Sequence, residues 1–180
     1  MLFLTPIRYH YPAPAQAFLQ ALLASTFKLP EKRADKWIRV SIAEDEARHD
    51  FYEAMTQLQE LGYQLAATPG TAEYYQQRGI SIISLNKPVD IESSSLQEDN
   101  VLKWIHDKRI DLVINIPEGT GRTDEISAGY LMRRAAVDFG TALLTNIKCA
   151  ALFCDALYRK KELPCKSIEE FVGVPTVGYH

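Results

Sequence analysis

Cysteine is scarce in this sequence, with three residues (Cys149, Cys154 and Cys165) among 180. An odd count at that density excludes a disulfide scaffold and fits a reducing cytosol. An excess of positive charge is also missing: 20 Lys and Arg stand against 23 Asp and Glu, a formal net charge of −3. Without a basic field, nucleic acid and anionic membrane are not expected partners. No apolar run approaches the ~18 residues that a membrane-spanning helix needs. The opening stretch MLFLTPIRYHYPAPAQ has no basic segment followed by a long apolar core, so a secretion signal is not expected. These absences predict a cytoplasmic protein. The four histidines (His10, His49, His106, His180) are scattered. None stands at ligand spacing with a cysteine or carboxylate, so no metal or other cofactor is predicted. G-x-S-x-G, P-loop and G-x-G-x-x-G motifs do not occur. Cys149 and Cys154, five apart, read as one packed helix face rather than a redox pair.

What is present is an ordinary globular composition, 47% hydrophobic and 24% charged, with room for one domain and an appendage. Residues 1–36 have their own character. Pro6, Pro12 and Pro14 punctuate a lead-in. PAQAFLQALLAST then places Phe18, Leu19, Leu22 and Leu23 at helical spacing, with Pro14 in the first turn. FKLPEKRADK follows as a charged connector. From residue 37 strand and helix signals alternate. The strand candidates are WIRVSIA (37–43), YQLAAT (63–68), ISIISL (80–85), IDLVINI (110–116) and TALLT (141–145). Between them EARHDFYEAMTQLQELG reads as one helix stopped by Gly62. TAEYYQQRG, LQEDNVLKWIHDKR, YLMRRAAVDFG and NIKCAALFCDALYRK supply the other helices. Such alternation predicts an α/β fold with a parallel sheet covered on both faces. Residues 161–180 read as a tail.

In open parallel sheets, ligands bind beyond the carboxyl ends of the strands. The loops there hold the candidate residues. TPGTA (68–72) combines the hydroxyls of Thr68 and Thr71 with Gly70, which suits a tight turn and close backbone approach, just where a helix begins. Those features make an anion cradle; Thr71 as a plain helix cap is the compatible alternative. Lys87 follows the third strand and could pair an anion, or be solvated as loop lysines usually are. After the fourth strand come Asn115, Pro117, Thr120, Arg122, Thr123 and Ser127, in a long polar loop. The acidic stretch Glu44–Glu46 suits a helix N-terminus, and opposes an anion on that side unless Arg48 turns inward. Arg133 and Arg134 read equally as loop anchors or as a solvated helix face.

The ordered set ELGYQLAATPGTAEYYQQRGI, NK, DLVINIPEGTG, GYLMRRAAVDFGTALLTN and IKCAALFCDAL resembles the methylglyoxal-synthase-like domain. It is most similar to the form at the carboxyl end of the carbamoyl-phosphate synthetase large chain. The lead-in AFLQALLASTFKLP is similar to the segment that precedes that domain. The resemblance implies a three-layer α/β/α fold around a five-stranded parallel sheet of order 3-2-1-4-5. It divides the chain into an extension (1–36), the domain (37–160) and a tail (161–180). It implies an anionic ligand at Thr68, Gly70, Thr71, Lys87 and Asn115, with Thr120 and Ser127 contributing from the loop. Synthetase subunits or a second copy of the chain are the partners it suggests.

Two departures shape the functional expectation. Phosphate-binding members resembled here carry an Asp-Lys pair after the first strand, where this chain has Glu46 and Ala47. Losing that cation removes a charge-assisted contact of roughly 1.5–3 kcal/mol. Arg48 is one residue late, a rotation of about 100° on a helix. The branch that binds N-acetylglutamate also lacks the lysine. The ligand is therefore expected to be an N-acetylglutamate-like carboxylate, or a nucleotide or other phosphate. The synthases resembled also use a carboxylate and a histidine in acid–base work. Here Asp90 and Asp124 occur with no histidine near either, so no catalytic residue is assigned. The expectation is a non-catalytic regulatory domain, since 180 residues leave no room for the synthetase's ATP-using domains. A phosphate-eliminating lyase and an interaction module with a vestigial pocket are the alternatives.

Overall fold

The computed structural model describes residues 14–86, 100–117 and 128–159. Five strands, β1 (Trp37–Ile42), β2 (Gln64–Ala67), β3 (Ile83–Ser84), β4 (Ile110–Ile116) and β5 (Ala142–Leu144), form one sheet in the order β3-β2-β1-β4-β5. Every pairing is parallel. Seven helices accompany them among the described residues: α1 (Pro14–Ala24), α2 (Asp45–Asp50), α3 (Tyr52–Glu60), α4 (Pro69–Gln76), α5 (Val101–His106), α6 (Ala128–Asp138) and α7 (Ile147–Tyr158). The strand order and parallel sense agree with the α/β expectation.

The two-residue period of a strand sends alternate side chains to opposite faces. Ile38, Val40 and Ile42 of β1 join Leu65, Ala67, Leu112 and Ile114 on one face, under α3, α4 and α7. Ala66, Leu85 and Val113 lie on the other face, under Val101, Trp104 and Ile105 of α5 and Met132, Ala135 and Ala136 of α6. Arg39 of β1 belongs to this second face by the same alternation. Helix α1 lies outside α7, with Leu19 only 1% exposed in the first core. Phe27 meets Phe153 edge-on at 5.5 Å between centroids. The connector is tied at the amino end of the sheet. Asp111 accepts from the Glu31 N–H (3.0 Å) and pairs with Lys36 Nζ (3.1 Å).

Helix punctuation follows the sequence at the chain's turns. Gly62 and Gly140, just past α3 and α6, take φ of 82° and 61°, a region that strains residues with a Cβ. Asn146 caps α7 by accepting from the Lys148 and Cys149 N–H groups.

Two local expectations are corrected. The stretch 45–60 is not one helix: it breaks at Phe51, where φ is −90° and ψ 1°. The Tyr75 hydroxyl donates to the Arg48 carbonyl at 2.9 Å, the acceptor that a continuous helix would offer to Tyr52. A side chain inserted into the ladder is a recognised cause of a break. The third strand is two residues, not six. The backbone at 80–82 is satisfied elsewhere: Ile80 N–H by Tyr75 O, Ser81 N–H by Gln59 Oε1, and Ile82 O by Gln76 Nε2. With those groups engaged, pairing with β2 starts no earlier than Ile83.

Candidate functional site

At the carboxyl end of the sheet, β1 and β4 pair Ser41 with Asn115. Thr68, two residues beyond Ala66, keeps extended dihedrals (φ −63°, ψ 152°) and donates its N–H to Val40 O. Thr68, Ser41 and Asn115 thus form a polar row across β2, β1 and β4. Its outer members are two strand spacings apart, about 9–10 Å. Thr68 and Asn115 are 6% and 3% exposed. Polar groups so buried need partners, and these have them.

Thr71 is the centre of the first cluster. Its hydroxyl donates to Ile42 O (3.1 Å) and accepts from the Ile42 N–H (3.3 Å) and from Thr68 Oγ1 (2.9 Å). It fastens the first turn of α4 to the end of β1. The cap reading of Thr71 is therefore corrected. The residue at the cap position is Thr68, with Pro69 following it, and no side chain caps this helix. The first-turn amides of Gly70 and Thr71 are groups that a helix leaves without intrahelical acceptors. Gly70 is also helical rather than in a special turn: it is not among the positive-φ glycines.

Arg48 does turn inward. Its guanidinium donates from Nε to Ile42 O (2.8 Å) and from Nη2 to Ala43 O (2.9 Å), and pairs with Asp45. A Cβ placed on Gly70 would lie 3.9 Å from Arg48 Nη2. The rotation expected from its one-residue offset is overcome because the arginine reaches back over the end of β1. This places a cation beside Gly70.

Asn115 faces the start of α6. Its Nδ2 donates to Gly129 O at 3.1 Å. A Cβ on Gly129 would sit 3.2 Å from Arg133 Nη1 and 3.4 Å from Asn115 Nδ2. A side chain at this position would press on both groups, which would have to give by a few tenths of an ångström. Arg133 is half-buried at this position, whereas Arg134 is exposed and paired with Asp138. The two adjacent arginines therefore differ: one lies against Gly129, the other against solvent.

Beneath the row lies Arg39, fully buried. Nη2 donates to Leu85 O (3.0 Å) and Nη1 to Val40 O (3.4 Å), while Nε has no partner. Burial alone lowers its pKa to about 9, so it remains a cation at neutral pH. A charge inside an otherwise apolar strand run was the available sequence signal, since arginine is rarely buried without a partner. Lys87, Thr120 and Ser127 lie outside the described residues, as do Asp90 and Asp124. Asn86, which precedes Lys87, bridges to Asn100 at the end of β3. Among the described residues no group of three or more His, Cys, Asp or Glu could hold a metal, and no helix is long and apolar enough to cross a membrane.

A five-stranded parallel sheet in the order β3-β2-β1-β4-β5, with helices on both faces, defines a three-layer type of α/β domain. Comparison with known proteins makes this specific. The model of the MGS-like domain family matches residues 50–145, more than half of the chain, and the chain belongs to that family. It is 34% identical to the multifunctional protein pyr1-3 of Dictyostelium discoideum over 158 residues, 86% of this chain and 7% of that one. It is 35% identical to the multifunctional protein URA2 of Saccharomyces cerevisiae, over 80% of this chain and 6% of that one. It is 33% identical to the mitochondrial carbamoyl-phosphate synthase [ammonia] of Mus musculus, over 84% of this chain and 10% of that one. The chain thus spans a tenth or less of these relatives. Methylglyoxal synthase from Elizabethkingia anophelis NUHP1 shares the fold, with a TM-score of 0.50, 15% identity, and coverage of 74% of this chain and 84% of that one.

Proposed function

We propose that this domain binds a small anionic metabolite at the carboxyl ends of its strands and regulates a carbamoyl-phosphate synthetase type of enzyme without catalysing a reaction itself. The observation that carries this reading is the convergence of Thr68, Gly70 and Asn115 around one polar row, with Arg48 and Arg133 at its flanks. Anions are favoured where helix amides and fixed cations meet. The Gly70 and Thr71 amides, Thr68 Oγ1 and the arginines form the recognition set; Lys87, Thr120 and Ser127, which lie outside the described residues, are assigned to it from the sequence alone. Thr71 holds the cradle's shape, because its hydroxyl is committed to Ile42 and Thr68. The ligand is an N-acetylglutamate-like carboxylate or a nucleotide or other phosphate. The likeness to segments of synthetases and multifunctional proteins supports a regulatory role.

A thermal-shift panel of nucleotides, sugar phosphates and N-acetylglutamate tests this. A panel member at 100 times its dissociation constant should add about 2.7 kcal/mol of stability. No stabilisation by any member would sink the reading and favour a vestigial pocket.

A further inference from the structure

Arg39 stands in register with Ala66 of β2 and Val113 of β4, one row below Thr68, Ser41 and Asn115. Its side chain does not stay at that level. The Leu85 N–H donates to Ala67 O at 2.8 Å, extending the β2–β3 ladder one residue past the Ala67–Ser84 pair. Leu85 is therefore level with Thr68, and Arg39 Nη2 donates to the Leu85 carbonyl. The guanidinium is therefore directed along the strands towards the level of the Thr68–Ser41–Asn115 row, with Nη1 on Val40 O and Nη2 on Leu85 O; successive rows on one face are about 6.6 Å apart. Two carbonyls accept from it, but carbonyls carry no net charge. Desolvation is the only cause of its shift, so no carboxylate among the described residues compensates it.

A buried cation without a counter-ion is costly. An anion seated above would relieve that cost, and the field of a buried charge is weakly screened. We propose that Arg39 is the built-in counter-charge of the site. It acts from beneath the polar row, selecting ligands by negative charge. This rests on the ligand-binding reading above. As a fully buried residue, Arg39 positions and selects; the contacts belong to Thr68, Asn115 and the α4 amides.

The test is titration of the whole chain with inorganic phosphate and with formate at low ionic strength, following the Gly70 and Thr71 amide resonances. Arg39→Met should melt at a higher temperature than the parent when free, because an apolar side chain replaces a buried charge that no carboxylate among the described residues pairs. It should bind phosphate at least tenfold more weakly and lose less affinity for formate, because a Coulombic contribution scales with ligand charge. Arg39→Lys should restore most of the phosphate affinity. If Arg39→Met does not fold, Arg39→Gln keeps a donor without the charge and carries the same comparison. Phosphate affinity unchanged in the neutral variant, or equal losses for both anions, would overturn the counter-charge proposal while leaving the ligand site standing. Amides of the parent protein that respond to neither anion would overturn both.

Discussion

Thr68 donates its hydroxyl to Thr71 across 2.9 Å, and that one bond joins two different roles. Thr71 is anchored to both backbone polar groups of Ile42, while Thr68 is the outer member of the pair. A loop that reads as two equivalent hydroxyls therefore holds one rivet and one hydroxyl hung on it.

Thr71→Val, nearly isosteric, should destabilise the protein by about 1–3 kcal/mol, the usual cost of leaving a buried polar group unsatisfied. Ile42 N–H loses its acceptor, whereas Ile42 O retains Arg48. Thr68→Val should cost less, about 1 kcal/mol, because it removes one bond. Urea denaturation of the two variants checks the order, and equal costs would contradict the division of roles.

Arg48→Ala should destabilise by about 1 kcal/mol, since two carbonyls at the end of β1 lose a donor. Arg48→Lys should recover less than half of that. A lysine ammonium cannot reproduce the planar fork that reaches Ile42 O and Ala43 O together. Full recovery in a urea melt would show that only charge matters there.

Leu19→Ala in α1 should cost about 2–5 kcal/mol, like any large-to-small change in a packed core. Leu19 is 1% exposed, and Leu58 in α3 is fully buried in the same cluster. The two leucine truncations should therefore be of similar size by chemical denaturation. A cost for Leu19→Ala within 0.5 kcal/mol of zero, the range of surface changes, would mean that α1 does not belong to the core.

Cys154 is buried and its thiol is pushed up to about 12 from 9.0, by desolvation. Between those values the unfolded chain loses the proton and the folded chain keeps it. The unfolded state then binds fewer protons, so stability falls as pH rises from 9 towards 12. Cys154→Ala should be less stable at neutral pH but show a shallower decline over that range, measured by urea melts at several pH values. In a Cys165→Ser background, a thiol reagent should modify half-buried Cys149 in the native state and reach Cys154 only on unfolding.

Much of the architecture was legible because its signals are local. Apolar β-branched runs mark β1 and β4, and Gly62 and Gly140 mark helix ends. The ordered motifs led to the family and the strand order. What was not legible depends on distant groups. The break at Phe51 follows from a tyrosine 27 residues beyond Arg48 in the chain. The shortening of β3 follows from Gln59 and Gln76. At the site, Thr68 and Asn115 could be nominated from position. Arg39 could be noticed as a charge in an apolar strand but not placed, because a strand pattern tells which face a side chain leaves from, not how far along the sheet it then travels.

The sheet's outermost strands have a consequence for behaviour at high concentration. β3 contributes two residues and β5 three. An exposed sheet edge is a template on which foreign strands nucleate, and short edges are one way proteins blunt it. The long strands β1 and β4 lie inside, paired on both sides. Among the described residues the sheet therefore offers little edge ladder on which a foreign strand could grow, and that economy follows from the order of its strands.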